Sequence, residues 1–145
     1  VPATISKERA LIVECGAALY GIASRHVIGV VRVDGAHVET VAGGRALRQD
    51  DQIVPLRSLG AAVGAAQTAD ESWAMIVEHA GRRWAYAFAG LVGEHELVRR
   101  PTDVLLSAFE HVAASATLDD GRLVLWLHLG GLLRLSEGRA AAPAR

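Results

Sequence analysis

Residues 73–89, WAMIVEHAGRRWAYAFA, carry the strongest structural signal in this sequence. Two β-rich runs flank Ala80-Gly81, and a glycine between two such runs predicts a tight hairpin. In the second run three aromatic residues alternate with alanines: Trp84, Tyr86 and Phe88. Successive side chains of a strand point to opposite faces, so one face is bulky and the other carries only methyl groups. We therefore expect this strand to pack closely against other elements on both faces.

The rest of the chain repeats this texture of short strands and tight turns. Further β-rich runs occupy residues 10–15, 19–23, 30–33, 37–41, 52–56, 91–99 and 123–129. The pairs Asp34-Gly35 and Asp120-Gly121 predict two more hairpins, because glycine tolerates the positive φ of tight turns. The pattern predicts an all-β protein with a few short helices, built as two small barrels.

Two short helices and one internal boundary are predicted between the strands. Apolar residues at helical spacing run from Leu56 to Gly64. Pro101-Thr102-Asp103 is typical of a helix start. Three apolar residues after it would share one helical face: Leu105, Phe109 and Val112. Residues 65–72 are small and polar, so we expect the two subdomains to meet there.

Composition excludes several classes of protein. With 145 residues, 51% of them hydrophobic and 21% charged, the chain can bury the core of one domain. A net charge of −1 argues against a nucleic-acid surface, which normally needs a basic patch. The longest apolar runs fall short of the ~18 residues of a membrane helix, so no direct membrane insertion is expected. A single cysteine permits no internal disulfide, which favours a cytoplasmic location.

No set of residues predicts catalysis, a cofactor or a metal. The six histidines are spread singly, without the spacing of a helical zinc site. The cluster Gly93-Glu94-His95-Glu96 offers two carboxylates and an imidazole, but is interpreted as solvated. Cys15 would be a nucleophile only beside a histidine, and is interpreted as a buried small hydrophobe. The residues thus favour a non-catalytic binding module.

Four segments, in order, resemble the motifs of the CheW-like domain family. They are ALIVECGAALYGIASRHVIGVV (10–31), QIVPLRSLGAAVG (52–64), GEHELVRRP (93–101) and LDDGRLVLWLHLGGLL (118–133). The chain departs from the usual family residues at Ala23, Ala89, Ala114 and His128. Residues 2–5 and 54–59 resemble the regulatory domain of a CheA-type chemotaxis histidine kinase more than the free adaptor CheW. We therefore expect a linker at 1–9, one CheW-like domain at 10–135 and a second linker at 136–145.

The resemblance implies two five-stranded SH3-like barrels packed side by side around a shared apolar core. It also implies a regulatory and scaffold role in two-component signalling, without catalysis in this domain. Three partners are implied: a CheW-type adaptor, the cytoplasmic tip of a chemoreceptor held between the barrels, and the kinase domains of the same chain. By motif position the expected partner contacts are Val27, Val30, Arg32, Arg48, Leu97 and Val98.

Two alternatives stay open at this stage. The chain would serve equally as a free-standing CheW-type adaptor, and the presence of a kinase domain encoded just upstream distinguishes the two. A small ligand- or metal-binding barrel that uses Glu94, His95 and Glu96 is the third hypothesis, and stoichiometric zinc in the purified protein would support it.

Overall fold

The computed structural model describes residues 6–33, 37–41, 44–49, 51–64, 71–101 and 112–134. Eleven strands and one short helix have bounds within these ranges. The strands are β1 Ser6–Cys15, β2 Ala18–Ala23, β3 Val27–Arg32, β4 His37–Val41, β5 Gly44–Gln49, β6 Gln52–Ser58, β7 Trp73–His79, β8 Arg82–Phe88, β9 Gly90–Pro101, β10 Val112–Thr117 and β11 Leu123–Leu127. Helix α1 spans Leu59–Val63, and a 3₁₀ turn spans Ser24–His26.

The strands form two sheets. The first is a closed barrel in the order β1-β2-β11-β10-β9, and the second is a six-stranded sheet in the order β3-β7-β8-β6-β5-β4. Each sheet contains one parallel pair, β2 with β11 and β6 with β8, which joins strands far apart in sequence. The predicted architecture of two small β subdomains is confirmed. The second sheet, however, has six strands where the resemblance implied a five-stranded barrel, and β5 is a strand that the sequence pattern did not indicate.

The 73–89 segment is the centre of the second sheet. Strands β7 and β8 pair from Trp73↔Phe88 to His79↔Arg82. Ala80 and Gly81 link them at φ of 54° and 78°, which is the pattern of a type I′ hairpin turn. The alternation in β8 buries both faces as predicted. Its aromatic side chains enter the core shared with the barrel, and its alanines enter the interior of the second sheet.

The shared core holds the two sheets together. It combines Tyr20 and Ile22 from the barrel with Met75 and Val77 from the second sheet. Leu132, from a helical segment at residues 129–134, completes it and is fully buried. Each sheet has a further core of its own, so the fold has three apolar clusters. No helix among the described residues is long and apolar enough to cross a membrane.

The strands of the two sheets do not follow one another along the chain as expected. The barrel strands β1, β2, β9, β10 and β11 come from both ends of the described chain, and the strands of the six-stranded sheet, β3 to β8, lie between them in sequence, so the sheets are not successive halves of the chain. The boundary predicted at 65–72 falls in the sequence between α1 and β7, not between the strands of the two sheets, and only residues 71–72 of it are described. Strand β1 also extends into the predicted linker: it starts at Ser6, which pairs with Arg99. Residues 136–145 lie outside the described ranges.

Of the two predicted Asp-Gly hairpins, one is confirmed. Asp120-Gly121 links β10 to β11 as predicted, and the Asp120 carboxylate accepts hydrogen bonds from Arg122 N (3.1 Å) and Nε (2.8 Å). The hairpin predicted at Asp34-Gly35 falls on residues outside the described ranges, and the strands on either side of it do not pair with each other. Strand β3 pairs with β7 and β4 pairs with β5, at opposite ends of the sheet order.

The first predicted helix is confirmed and the second is not. The Ser58 hydroxyl accepts a hydrogen bond from Ala61 N at 3.1 Å and caps α1, which ends at Gly64 with φ of 79°. Most of the second predicted helix, 102–111, lies outside the described residues. Its last apolar member, Val112, belongs instead to strand β10 and pairs with Leu127.

Candidate partner-binding surface

Strand β3 forms one edge of the second sheet and carries three of the sequence-predicted contacts. Among the described strands it pairs only with β7. Val27 and Val30 are half-buried and pack against the shared core. Ile28, which no motif indicated, is 45% exposed beside the bulge between Val27 and Gly29. Val27, Ile28 and Val30 therefore form an apolar rim beside the shared core, in which Ile28 is the exposed side chain.

Arg32 lies at the far end of this rim. Its guanidinium carbon lies 4.8 Å from the centre of the Trp73 ring, the residue opposite it in the β3–β7 pair. A guanidinium over an indole face is a cation–π contact. Arg32 is exposed, so this contact fixes a positive charge at the end of the apolar rim.

The other predicted contacts do not join this rim. Arg48 is exposed on β5, where its Nε donates to Glu39 Oε2 at 2.6 Å. Three strands, β7, β8 and β6, separate β5 from β3 in the sheet order. Leu97 is 3% exposed in the core of the barrel, so its side chain is not available to a partner in this structure. Its neighbour Val98 is partly exposed on β9.

A cleft of about 370 Å³ opens where the two sheets meet, at the Val27 end of the rim. Its walls come from β1, the end of β2, the 3₁₀ turn, the end of β7, and β11 with the start of the helical segment. The lining residues are Glu8, Ala23, Arg25, His26, His79, Trp126, Leu127, His128, Leu129 and Gly130.

Three of the six histidines meet in this cleft, which sequence reasoning missed. His26 precedes β3, His79 ends β7 and His128 follows β11, so they are far apart in sequence. The signal available in the sequence was that each lies next to a strand end. His128 is exposed, and its Nδ1 accepts a hydrogen bond from Gly131 N at 2.9 Å.

Electrostatics in the cleft are set by few charges. An ion pair joins Arg25 to Glu8. Burial, Arg25 and His79 together lower the pKa of His26 below its ordinary value, against an opposing hydrogen bond to the backbone of Glu78. Neutral imidazole is thus favoured for His26 near neutral pH.

The residues considered for chemistry lie elsewhere and are dispersed. Glu94 is exposed on β9, and hydrogen bonds from Ser24 and Arg9 lower the pKa of its carboxyl. His95 and Glu96 line a different pocket of about 200 Å³ at the β10–β11 turn. Within the described ranges, no three histidine, cysteine or acidic residues are grouped so as to hold a metal ion. Cys15 is 3% exposed in the shared core, as expected of a small hydrophobe.

Comparisons with known proteins agree with this architecture. The CheW-like domain family matches residues 9–137. The chain is 27% identical over 151 residues to the gliding motility regulatory protein of Myxococcus xanthus, covering 99% of this chain and 19% of that protein. It is 27% identical over 134 residues to the chemotaxis protein CheA of Halobacterium salinarum, covering 91% and 20%. The chain thus spans about a fifth of the length of these curated relatives.

A solved structure shows the same fold. The scaffolding protein TtCheW from Thermoanaerobacter tengcongensis superposes with a TM-score of 0.70 at 16% identity, over 88% of this chain and 92% of that chain. Two packed β sheets with a shared apolar core are the fold that this chain has in common with that structure. The chain belongs to the CheW-like domain family, and is a coupling and scaffold domain of chemotaxis-type signalling.

Proposed function

We propose that this domain is the regulatory domain of a CheA-type histidine kinase, and that it docks a CheW-type adaptor and the cytoplasmic tip of a chemoreceptor. The observation that carries the proposal is the apolar rim of β3 beside the shared core. Ile28 is 45% exposed there, next to the half-buried Val27 and Val30. An apolar strip bordered by charge is typical of the core of a protein–protein interface.

The kinase assignment rests on the relatives. Both curated relatives are about five times longer than this chain, and one of them is the chemotaxis protein CheA. In such a protein the domain would act in the cytoplasm, where docking at the rim shifts the population of kinase arrangements without chemistry in this domain. The kinase domains of the same chain would be its third partner.

The free-standing adaptor is the second candidate, because the match to TtCheW covers 92% of that scaffolding protein. Reading the gene upstream of Val1 distinguishes the candidates. A kinase domain in the same reading frame supports the first, and a start codon close to Val1 supports the second.

Calorimetric titration with the CheW-type adaptor encoded nearest the gene, and then with the receptor tip, tests docking. We expect saturable binding that Ile28→Glu weakens at least tenfold, because a carboxylate in the rim would be desolvated on docking. Ile53→Glu is the matched control, since Ile53 is 49% exposed on β6, away from the rim. Binding that is equal in both variants would contradict the placement of the docking surface on β3. A folded domain that binds neither partner would contradict the proposed function.

A further inference from the structure

The chain passes from the barrel to the second sheet through the 3₁₀ turn Ser24–His26, which lies between β2 and β3. The backbone N–H of Val27 donates to the Ser24 carbonyl, so the turn ends on the first residue of β3. A turn of three residues closed by this hydrogen bond moves together with the strand that follows it. The contacts that hold the turn therefore also place the start of the β3 rim.

Two consecutive side chains of the turn contact different sheets. An ion pair joins Arg25 to Glu8 on strand β1 of the barrel. The ring of His26 meets the ring of His79 edge to face, with centroids 5.8 Å apart, and hydrogen-bonds to the backbone of Glu78 on β7. The turn is thus attached to both sheets immediately before the rim.

The two attachments hold different things. His26 contacts β7, the strand that already pairs with β3 from Val27↔Val77 onward, so this contact does not fix β3 relative to the barrel. The Arg25–Glu8 pair does join the turn to the barrel. The side chain of Glu8 is only 20% exposed, against 63% for Arg25. Salt screens a charge in such a partly buried position less than a fully exposed one.

The return crossing, from β8 to β9, is held by the backbone. Ala89 N donates to Glu14 O on β1 at 3.2 Å. Gly90 follows, where a Cβ would lie 2.8 Å from Glu14 Oε1. Because no side-chain charge enters the Ala89 hydrogen bond, a change of charge at Arg25 or Glu8 leaves this second attachment between the sheets in place.

We propose that Arg25 and Glu8 are positioning residues of the docking surface, and that their ion pair fixes the start of the β3 rim relative to the barrel. The inference rests on the proposed docking function and deepens it. Neither residue needs to touch the partner, because the effect reaches Val27 and Ile28 through the turn. Reversal of one charge places two like charges side by side, which displaces the turn and the rim with it.

Charge reversal and charge exchange test the pair. Arg25→Glu, Glu8→Arg and the double exchange are titrated calorimetrically with the CheW-type adaptor. We expect each reversal to weaken docking about fivefold, and the exchange to recover most of that loss, as a direct coupling requires. Arg122→Glu is the matched control, because it makes the same change of charge in the exposed ion pair with Asp120. Its affinity should stay within about twofold of the wild type.

Methyl NMR signals of the labelled domain report on the rim without any partner. Those of Val27 and Ile28 should shift in both reversals and return in the exchange, while Ile53, on β6 away from the rim, should not move. A loss of stability alone would leave the affinity of the folded domain unchanged, because nearly all molecules stay folded. Arg25→Gln and Glu8→Gln remove charge without repulsion, and give the same test at smaller amplitude if a reversal fails to fold.

The outcomes keep the two proposals apart. Wild-type affinity in both reversals, or an exchange that restores neither the affinity nor the rim signals, would overturn the positioning role and leave the proposed function standing. A wild-type domain that binds neither adaptor nor receptor tip would contradict the proposed function. The methyl signals would still decide whether the ion pair positions the rim.

Discussion

Arg32 and Trp73 lie opposite each other in the β3–β7 pair, with the guanidinium 4.8 Å from the centre of the indole ring. The two residues are 41 positions apart in sequence, and their contact joins the end of edge strand β3 to β7. It explains how an exposed arginine holds a fixed position beside the apolar rim.

A double-mutant cycle of Arg32→Ala and Trp73→Leu measures this contact. We expect a coupling of about 0.5–1 kcal/mol in urea unfolding, the usual range for an exposed cation–π pair. Arg32→Lys should retain part of it, because an ammonium also interacts with the ring face. Additive effects of the two substitutions would show that the pair contributes nothing to stability.

Leu97 is predicted to stabilise the barrel rather than to touch a partner. Leu97→Ala should lower the free energy of unfolding by about 2–5 kcal/mol, because it opens a cavity in a packed core. Leu123→Ala is the control: Leu123 is 56% exposed at the start of β11, so a change within about 0.5 kcal/mol is expected. Both values come from denaturant midpoints. A near-neutral Leu97→Ala would contradict the burial of this side chain.

Substitutions at the two residues of the β7–β8 turn are predicted to change the melting temperature in opposite directions. Ala80 has φ of 54°, a conformation that costs an L-residue other than asparagine about 1 kcal/mol. Ala80→Asn should therefore raise the melting temperature, since Asn-Gly is the preferred type I′ turn. Gly81→Ala should lower it, and through the backbone alone, because a Cβ there meets no atom within 4 Å. Thermal unfolding followed by circular dichroism gives both signs in one experiment.

Cys15 is predicted to be inert in the folded domain. Burial, with a smaller contribution from Glu71, raises the pKa of its thiol from 9.0 to about 11. At pH 8 this lowers the thiolate fraction about 100-fold, so a thiol reagent should label the folded protein at least that much more slowly than the unfolded chain. Fast labelling of the native domain would contradict the burial of Cys15.

The raised pKa of Cys15 also makes the free energy of unfolding depend on pH. The thiol ionises more readily in the unfolded chain than in the folded domain. The contribution of the buried, neutral thiol to the free energy of unfolding is therefore fully present below pH 9 and is lost as the pH rises towards 11. Tyr20, whose pKa burial also raises, acts in the same direction. Unfolding measured between pH 8 and 11 should show a falling denaturant midpoint, and Cys15→Ala should reduce the slope.

The local sequence pattern correctly predicted the elements whose hydrogen-bonded partners lie close by in the sequence. The β7–β8 and β10–β11 hairpins and helix α1 follow from turn residues and spacing alone, because their hydrogen bonds close within a few residues. Strand β5 was missed because Arg45 and Arg48 interrupt its apolar pattern, while only Ala46 and Leu47 enter the core. Val112 was placed on a helix because spacing at i, i+4 and i+7 also occurs by chance in β sequences.

By itself, the sequence determined the β class, the tight turns, the double burial of β8 and the family, because each depends on residue identity and local periodicity. Only the tertiary structure decided that β1 and β2 form one barrel with β9, β10 and β11, although the strands of the second sheet intervene in the sequence, and that β3 and β4 lie at opposite ends of that second sheet. Only it brought His26, His79 and His128 into one cleft and buried Leu97. These facts depend on pairings between strands far apart in sequence, antiparallel for β1 and β9 and parallel for β2 and β11. They also depend on burial against elements that are distant in sequence, which local periodicity does not reveal.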